Sequence, residues 1–291
     1  MLYLQTFIDA LMIGGVYSVI AVGLSLIFGV MRVINWSHGE SLMVSMLIAL
    51  YMNQYTPLDP YVIMLIVGAV MFVYGYVLQS VVISRILSRE TDREPISCLL
   101  FTAGLGMVMS YSVQIIFGSK QVMAQTKYNG RALHMGDLVV SLPKLIAFII
   151  AVVAVAALWT FLQKSEYGRA IRATSQNRSV ATLMGISEKR VYSVSFAIGT
   201  MLVGLAGGML IPYFSVYPTV GSVFSNKSFI IVVLGGKGSV PGALLGGLIV
   251  GLIEKFGALF FSESVAQIIV FLMFIAILLF KPTGLLSKDK G

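Results

Sequence analysis

The sequence predicts an all-α integral membrane protein. The expected form is a single polytopic helical bundle of about eight or nine transmembrane segments with a broken or re-entrant glycine-rich segment. Three observations predict it. Of 291 residues, 58% are apolar and only 11% are charged, whereas soluble domains average about 25% charged and about 45–50% apolar residues. The apolar residues come in runs close to the roughly 20 residues a helix needs to cross the hydrocarbon. The basic residues gather at the ends of those runs, as the cytoplasmic loops of membrane proteins do. That placement also argues against nucleic acid as the reason for the net charge of +8.

The first run, 10–31, contains no charged residue, and the first basic residue is Arg32. A secretory signal needs positive charge at its start, so this run is expected to stay as a span, with the N-terminus outside. Further runs cover 41–52, 61–83, 96–117, 144–163, 192–214, 243–261 and 264–280. Loop 84–95 carries Arg85, Arg89 and Arg93, segment 164–190 carries Lys164 and five more basic residues, and the tail carries Lys281, Lys288 and Lys290. All three sets belong in the cytoplasm by the positive-inside rule. Loop 118–143, with Lys120, Lys127 and Arg131, is the misfit. N-out with C-in requires an odd number of crossings, and the strong runs are even in number. The short apolar stretch SFIIVVLGG (228–236) therefore completes a tilted crossing that starts near Ser222, or it re-enters as a half-helix. The pairs Gly204/Gly208, Gly242/Gly246 and Gly247/Gly251 have the small-xxx-small spacing that brings helices close in lipid. Cys98 is the only cysteine, so neither an internal disulfide nor a thiolate metal site is expected.

The stretch YGRAIRATSQNRSVATLMGISEKR (167–190) holds Arg169, Arg172, Arg178, Lys189 and Arg190 against a single acid, Glu188. Gly168–Gln176 fits a short helix, with Arg169 and Arg172 three residues apart. Asn177 or Ser179 can cap a second helix, Gly185 can end it in a left-handed conformation, and Ser187 can cap the next one. The surplus of apolar residues, among them Leu183, Met184 and Ile186, exceeds what a connector needs. The plain reading is a solvated basic loop touching anionic lipid. The sharper one is a docking surface for a soluble partner on a cytoplasmic helix–turn–helix spanning 164–191.

In INWSHGE (34–40), Asn35, Ser37, His38 and Glu40 interrupt two apolar runs, and Gly39 permits a break in the helix. Polar groups at membrane depth tend to face a cavity or pathway. The segment is therefore either an interfacial turn or a broken helix lining a translocation path. With only His134 as a second histidine, far away in sequence, no metal site is expected. GGKGSVPG (235–242) does not fit the GxxxxGK[ST] phosphate loop, so no nucleotide site is expected on this chain. Paired glycine-interrupted segments in opposite halves, 28–41 and 228–242, point to a transport site between them, and add Gly235, Gly236 and Gly238 to the path candidates. Beyond His38 and Glu40, the mid-segment positions offer almost no charge for ion coupling. That weighs against a stand-alone secondary transporter, and no nucleophile accompanies the two residues as an intramembrane enzyme would require.

The loop GRAIRATSQNRSVATLMGI resembles the coupling-helix loop of ABC-importer permeases, in particular those for branched-chain amino acids. FGVMRVINWSHGE (28–40) and VVLGGKGSVPGALLGG (232–247) resemble two further motifs of that family, in the same order, over about Gly14–Gly284. The likeness is strongest to the shorter of its two permeases. The resemblance implies the ABC importer permease fold in a bacterial-type inner membrane. It implies a second related permease, two cytoplasmic ATPases that hold the ATP and magnesium, and an external substrate-binding protein, with no cofactor on this chain and no catalytic role for it. It implies coupling through Gly168, Arg169, Arg172, Leu183, Met184, Gly185 and Ile186. Branched-chain or other hydrophobic amino acids are the expected cargo, with urea, amides or aromatic acids as alternatives.

Overall fold

The computed structural model describes residues 1–88, 96–136, 138–281 and 283–285; Arg89, Arg93, Lys288 and Lys290 lie outside the described residues. α1 (Leu2–Met31) is about 45 Å long at 1.5 Å per residue and ends where Arg32 turns left-handed, at φ 55°. Residues 32–37 follow without regular structure, and α2 (His38–Tyr55) begins after them. α3 (Pro60–Val77), a π-helical turn (Leu78–Ile83) and α4 (Ser84–Leu87) form one continuous rod. α5 (Ile96–Phe117) leads into an antiparallel hairpin of β1 (Ala132–Met135) and β2 (Leu138–Ser141), with Ala132 opposite Ser141. The remaining helices are α6 (Leu142–Lys164), α7 (Glu166–Gln176), α8 (Arg178–Leu183), α9 (Glu188–Leu210), α10 (Val220–Gly235), α11 (Val240–Phe260) and α12 (Glu263–Phe280).

Among the described residues, seven helices are long and apolar enough to cross a membrane: α1, the α3–α4 rod, α5, α6, α9, α11 and α12. α2, with 18 residues, and α10, with 16, complete the bundle. α2 packs on α3, α5, α9 and α10, and α10 packs on α1, α2, α11 and α12. The centre of the bundle is α1 and α9, with 89% and 83% of their most apolar windows buried; the rim is α5 and α12, with 17% and 11%. All three small-xxx-small pairs bring backbones together. Gly204 and Gly208 of α9 meet Met71 and Met64 of α3, Gly242 and Gly246 of α11 meet Gly235 and Ile231 of α10, and Gly247 and Gly251 meet Ser18 and Gly14 of α1.

The two ends of the bundle separate the loops as charge counting grouped them. At one end, the Gln5 side chain exchanges hydrogen bonds with the backbone of Val139 in β2, and Lys144 pairs with Asp9 at 3.5 Å. At the other end, Arg85 shares a cavity with Arg178 and Lys189, and the Leu285 N–H donates to Leu234 O at the end of α10. The misfit loop is accommodated by pairing: Lys127 lies 2.6 Å from Asp59, and the Tyr128 hydroxyl donates to Asp59 at 2.8 Å. The hairpin within this loop has no clear signal in the sequence.

The glycine-rich segment is interrupted at 236–239, and a further interruption lies upstream of it, at 211–219. α10 is unbroken from Val220 to Gly235. It starts inside the bundle, where Gly221 meets Gly39, and runs to the end that carries α7. With 211–219 it completes a traverse of the bundle, so the chain's two ends lie at opposite ends of the molecule.

Two outcomes follow from this packing. A Cβ on Gly208 would sit 2.6 Å from Met64 Cα, whereas one on Gly104 would meet nothing within 4 Å. Gly208→Ala should cost about 1–3 kcal/mol, the usual cost of overpacking, and lower the thermal midpoint in detergent, while Gly104→Ala should not lower it. At Asp59, burial pushes the carboxyl pKa up, but Lys127, the Tyr61 N–H and the Tyr128 hydroxyl together outweigh it and hold the pKa below the ordinary 3.8. A depressed folded pKa gives stability that is present above the ordinary value and lost as the pH falls through the folded one. The parent midpoint should therefore drop between about pH 5 and pH 3 more than that of Asp59→Asn does.

Candidate functional site

The polar break is buried at the middle of the bundle. The His38 ring lies 2.9 Å from the carbonyl of Ile20, well inside α1. A carbonyl only accepts, so Nε2 carries the proton. Trp36 N–H donates to the Thr102 hydroxyl of α5 at 3.1 Å, and that hydroxyl lies 3.3 Å from Ile34 O. Asn35 Oδ1 accepts from the Ser37 N–H at 3.2 Å and from its hydroxyl at 2.8 Å, which fixes the entry into α2. Asn35, Ser37 and His38 are fully buried, so their geometry is that of a local brace. Gly39 is not the point of the break. It lies in the first turn of α2, where a Cβ would overlap the Gly221 carbonyl oxygen and the Ser225 backbone. The N-terminal ends of α2 and α10 thus meet at mid-bundle. Glu40 lies against Gly221 and Gly106, and its Oε2 is buried without a hydrogen-bond partner. Trp36 is the exposed member, 49% accessible, with its ring 5.1 Å from that of Phe229.

The glycine motif lies elsewhere. Gly235 ends α10, Gly236 and Gly238 take positive φ (95° and 82°), and Ser239 caps α11 by accepting from the Gly242 N–H at 3.1 Å. Gly238 packs on Gly29 near the end of α1. These glycines build a tight turn between two helices at the end beside α7, against the last turn of α1 that leads into the break. Their geometry explains why they are glycines without invoking a path.

The basic stretch folds as a capped helical pair. Ser165 caps α7 by accepting from the Gly168 N–H at 2.9 Å, and Asn177 caps α8 by accepting from the Val180 N–H at 3.1 Å. Gly185 ends α8 at φ 83°, with the Ile186 N–H donating to Ala181 O. Ser187 occupies the cap position of α9, but its side chain makes no capping bond. Arg178 and Glu188 pair at 2.6 Å, with Arg178 over the Tyr192 ring, which ties α8 to α9. Gly168 is buried, because a Cβ would overlap the Phe161 and Leu162 carbonyls at the end of α6. Arg172 faces inward into a cavity of about 200 Å³ with Leu26, Gly29 and Lys237, while Arg169 stays on the outer face near Glu166. Ile171 and Ala181 anchor the pair, whereas Leu183 and Met184 stand 86% and 78% exposed at its tip.

Charge inside the bundle is more plentiful than the sequence suggested. Lys227 of α10 lies 2.8 Å from both carboxylate oxygens of Glu254 of α11, and 2.7 Å from the Tyr17 hydroxyl of α1. Both ionic residues interrupt apolar runs, which was the available signal; their partnership across the chain was not legible.

The profile of the family described as branched-chain amino acid transport system / permease component matches residues 6–278. The chain is 29% identical to the high-affinity branched-chain amino acid transport system permease protein BraD of Pseudomonas aeruginosa, over 99% of this chain and 97% of that protein. It is also 29% identical to the corresponding permease protein LivH of Escherichia coli K12, over 99% of this chain and 96% of that protein. A partial likeness, 31% identity to the ribose import permease protein RbsC of Bacillus subtilis, covers 52% of this chain and 47% of that protein. No solved structure matches the chain. Membrane-length helices around a buried break, matched over nearly their whole length, identify the chain: it belongs to the permease components of branched-chain amino acid transport systems.

Proposed function

We propose that this chain forms half of the translocation pathway of an ATP-driven importer for branched-chain amino acids. The single observation that carries the coupling part is the tip of α8. Two large apolar side chains, Leu183 and Met184, are held out on a capped, ion-paired helical turn. Apolar groups presented rigidly in this way suit burial in a partner's groove. The partner is a cytoplasmic ABC ATPase, one of two, with Arg169, Gly185 and Ile186 beside the contact. The likeness to BraD and LivH supports a second, related permease and an external binding protein. This end of the molecule faces the cytoplasm and the N-terminus faces outward, since the basic residues gather here. ATP binding below moves the permeases as rigid bodies between outward and inward access. The break at 32–37 and the meeting of α2 with α10 supply a place where the bundle can part, and Asn35, Ser37, His38, Gly39 and Glu40 act there.

Leu183→Asp should leave insertion and the thermal midpoint unchanged, because the side chain touches little of its own fold. Co-purification of the ATPase chains should fall at least about tenfold, which corresponds to about 1.4 kcal/mol of lost contact. Undiminished co-purification would remove α8 from the interface. At the break, Glu40→Gln keeps the volume and hydrogen-bonding capacity, and should retain most leucine uptake in vesicles supplied with binding protein and ATP. Glu40→Leu should lose about tenfold, the loss that a mispaired polar site produces. Equal uptake by both variants would reduce the break to a structural brace.

A further inference from the structure

The flank of the bundle formed by α10, α11 and α12 has a groove that neither the break nor the helical pair uses. Its floor is the pair Lys227–Glu254, only 16% and 19% exposed. The Tyr17 hydroxyl closes the cluster, 3.2 Å from Glu254 Oε1, with Lys227 Nζ also 4.6 Å above the Tyr17 ring. Apolar walls come from Val223, Ile230, Val270 and Phe271, and the space between them is about 130 Å³. The amide side chains of Asn226 and Gln267 sit on exposed residues at its edge.

Three physical points give this groove a role. Tyr17 stands at the middle of the 30-residue α1, so the pair lies at hydrocarbon depth, where ionisable groups are costly and mark solute pathways. Apolar side chains of similar volume would join α10 to α11 at least as well as a buried ion pair does. Lipid tails offer no hydrogen bonds to Asn226 and Gln267, so the mouth of the groove suits water or protein. A pathway shared between two permeases would be open on one flank of each, as this groove is.

The chemistry of the lining selects a ligand. A cation and an anion a hydrogen bond apart match a carboxylate and an ammonium on adjacent atoms of one small molecule. Apolar walls match an aliphatic side chain, and a space near the 150 Å³ that holds a benzene suits a small solute rather than a sugar. Resting on the reading of the chain as an amino-acid permease, we infer that this groove is a station for the zwitterionic, branched aliphatic amino acid during passage. Lys227 faces its carboxylate, Glu254 faces its ammonium, and Val223, Ile230, Val270 and Phe271 receive its side chain. The ligand's two charges replace the pair's mutual contacts, so no net charge is buried at any point.

The test is ligand protection of a cysteine in the groove. Asn226→Cys in a Cys98→Ala chain is assembled with its second permease, ATPases and binding protein in membrane vesicles, then treated with a small cationic thiol reagent. Leucine at ten times its dissociation constant should slow modification about tenfold, as simple competition requires. Isocaproate, which lacks the ammonium, and isoamylamine, which lacks the carboxylate, should protect little. A double variant, Lys227→Glu with Glu254→Lys, keeps an ion pair but reverses its polarity, and should lose leucine protection while the bundle stays folded. Modification indifferent to leucine, in an Asn226→Cys transporter that still takes up leucine, would overturn the station and leave the permease reading intact. A cysteine that never reacts would also overturn it, because the groove would then be sealed by lipid. Protection that survives the polarity swap would remove the two charges from the site. Failure of the parent transporter to take up leucine would instead overturn the proposed cargo.

Discussion

Everything in this bundle depends on one constraint: a backbone that leaves helical geometry at membrane depth must find its hydrogen bonds within the protein. The chain does so at 32–37. Arg32 ends α1 in a left-handed conformation, and the irregular segment that follows is met by the Thr102 hydroxyl, the Asn35 side chain and the first turn of α2. The requirement explains why this segment is enclosed by other helices rather than exposed to lipid. It also explains why small residues concentrate around it. Gly39 and Gly221 let the ends of α2 and α10 approach until backbone touches backbone.

The same economy governs the charges. At one end, Asp59 gathers Lys127, Tyr128 and the Tyr61 N–H, so a basic loop is tolerated opposite the end that carries α7 and α8. At the other end, the Arg178–Glu188 pair fixes α8 against α9. Arg169 stands on the outer face, 3.8 Å from Glu166, and Leu183 and Met184 stand exposed at the tip of α8. Inside the bundle, Lys227, Glu254 and Tyr17 neutralise one another across three helices. Basic groups in loops sit at the ends of the bundle, while Lys227 and Glu254 are paired within it.

Helix caps and helix packing link these regions mechanically. α7 sits on the end of α6 through Gly168, and Arg172 and Ile171 share a cavity with the last turns of α1 and with the turn Lys237–Gly238 between α10 and α11. A push on the α7–α8 pair therefore meets α1, α6 and α9 directly, and α10 and α11 at the turn that joins them. Of these, α1, α10 and α11 carry Tyr17, Lys227 and Glu254, and α1 leads into the break. The end that carries α7 is thus joined through packed helices to both polar regions.

The caps at Asn177 and Gly185 and the apolar runs were legible in the sequence because each rests on local chemistry: a side chain reaching three residues along, or a window of composition. The family resemblance was legible for the same reason, in three short motifs. Other features were not. Gly39 reads as a hinge until the Gly221 carbonyl is found against it, and the glycine motif reads as a mid-path break until Gly238 is found on Gly29 at the end of α1. Arg172 reads as a partner contact until it is found turned inward. The sequence by itself determined the class of the protein, its helices and the ends at which its charge gathers, since composition and caps act within one or two turns. The tertiary structure alone decided where the interruptions meet and which buried charges pair. Lys227 and Tyr17 are 210 residues apart in the chain, and only the packing of α1, α10 and α11 brings them within a hydrogen bond of each other.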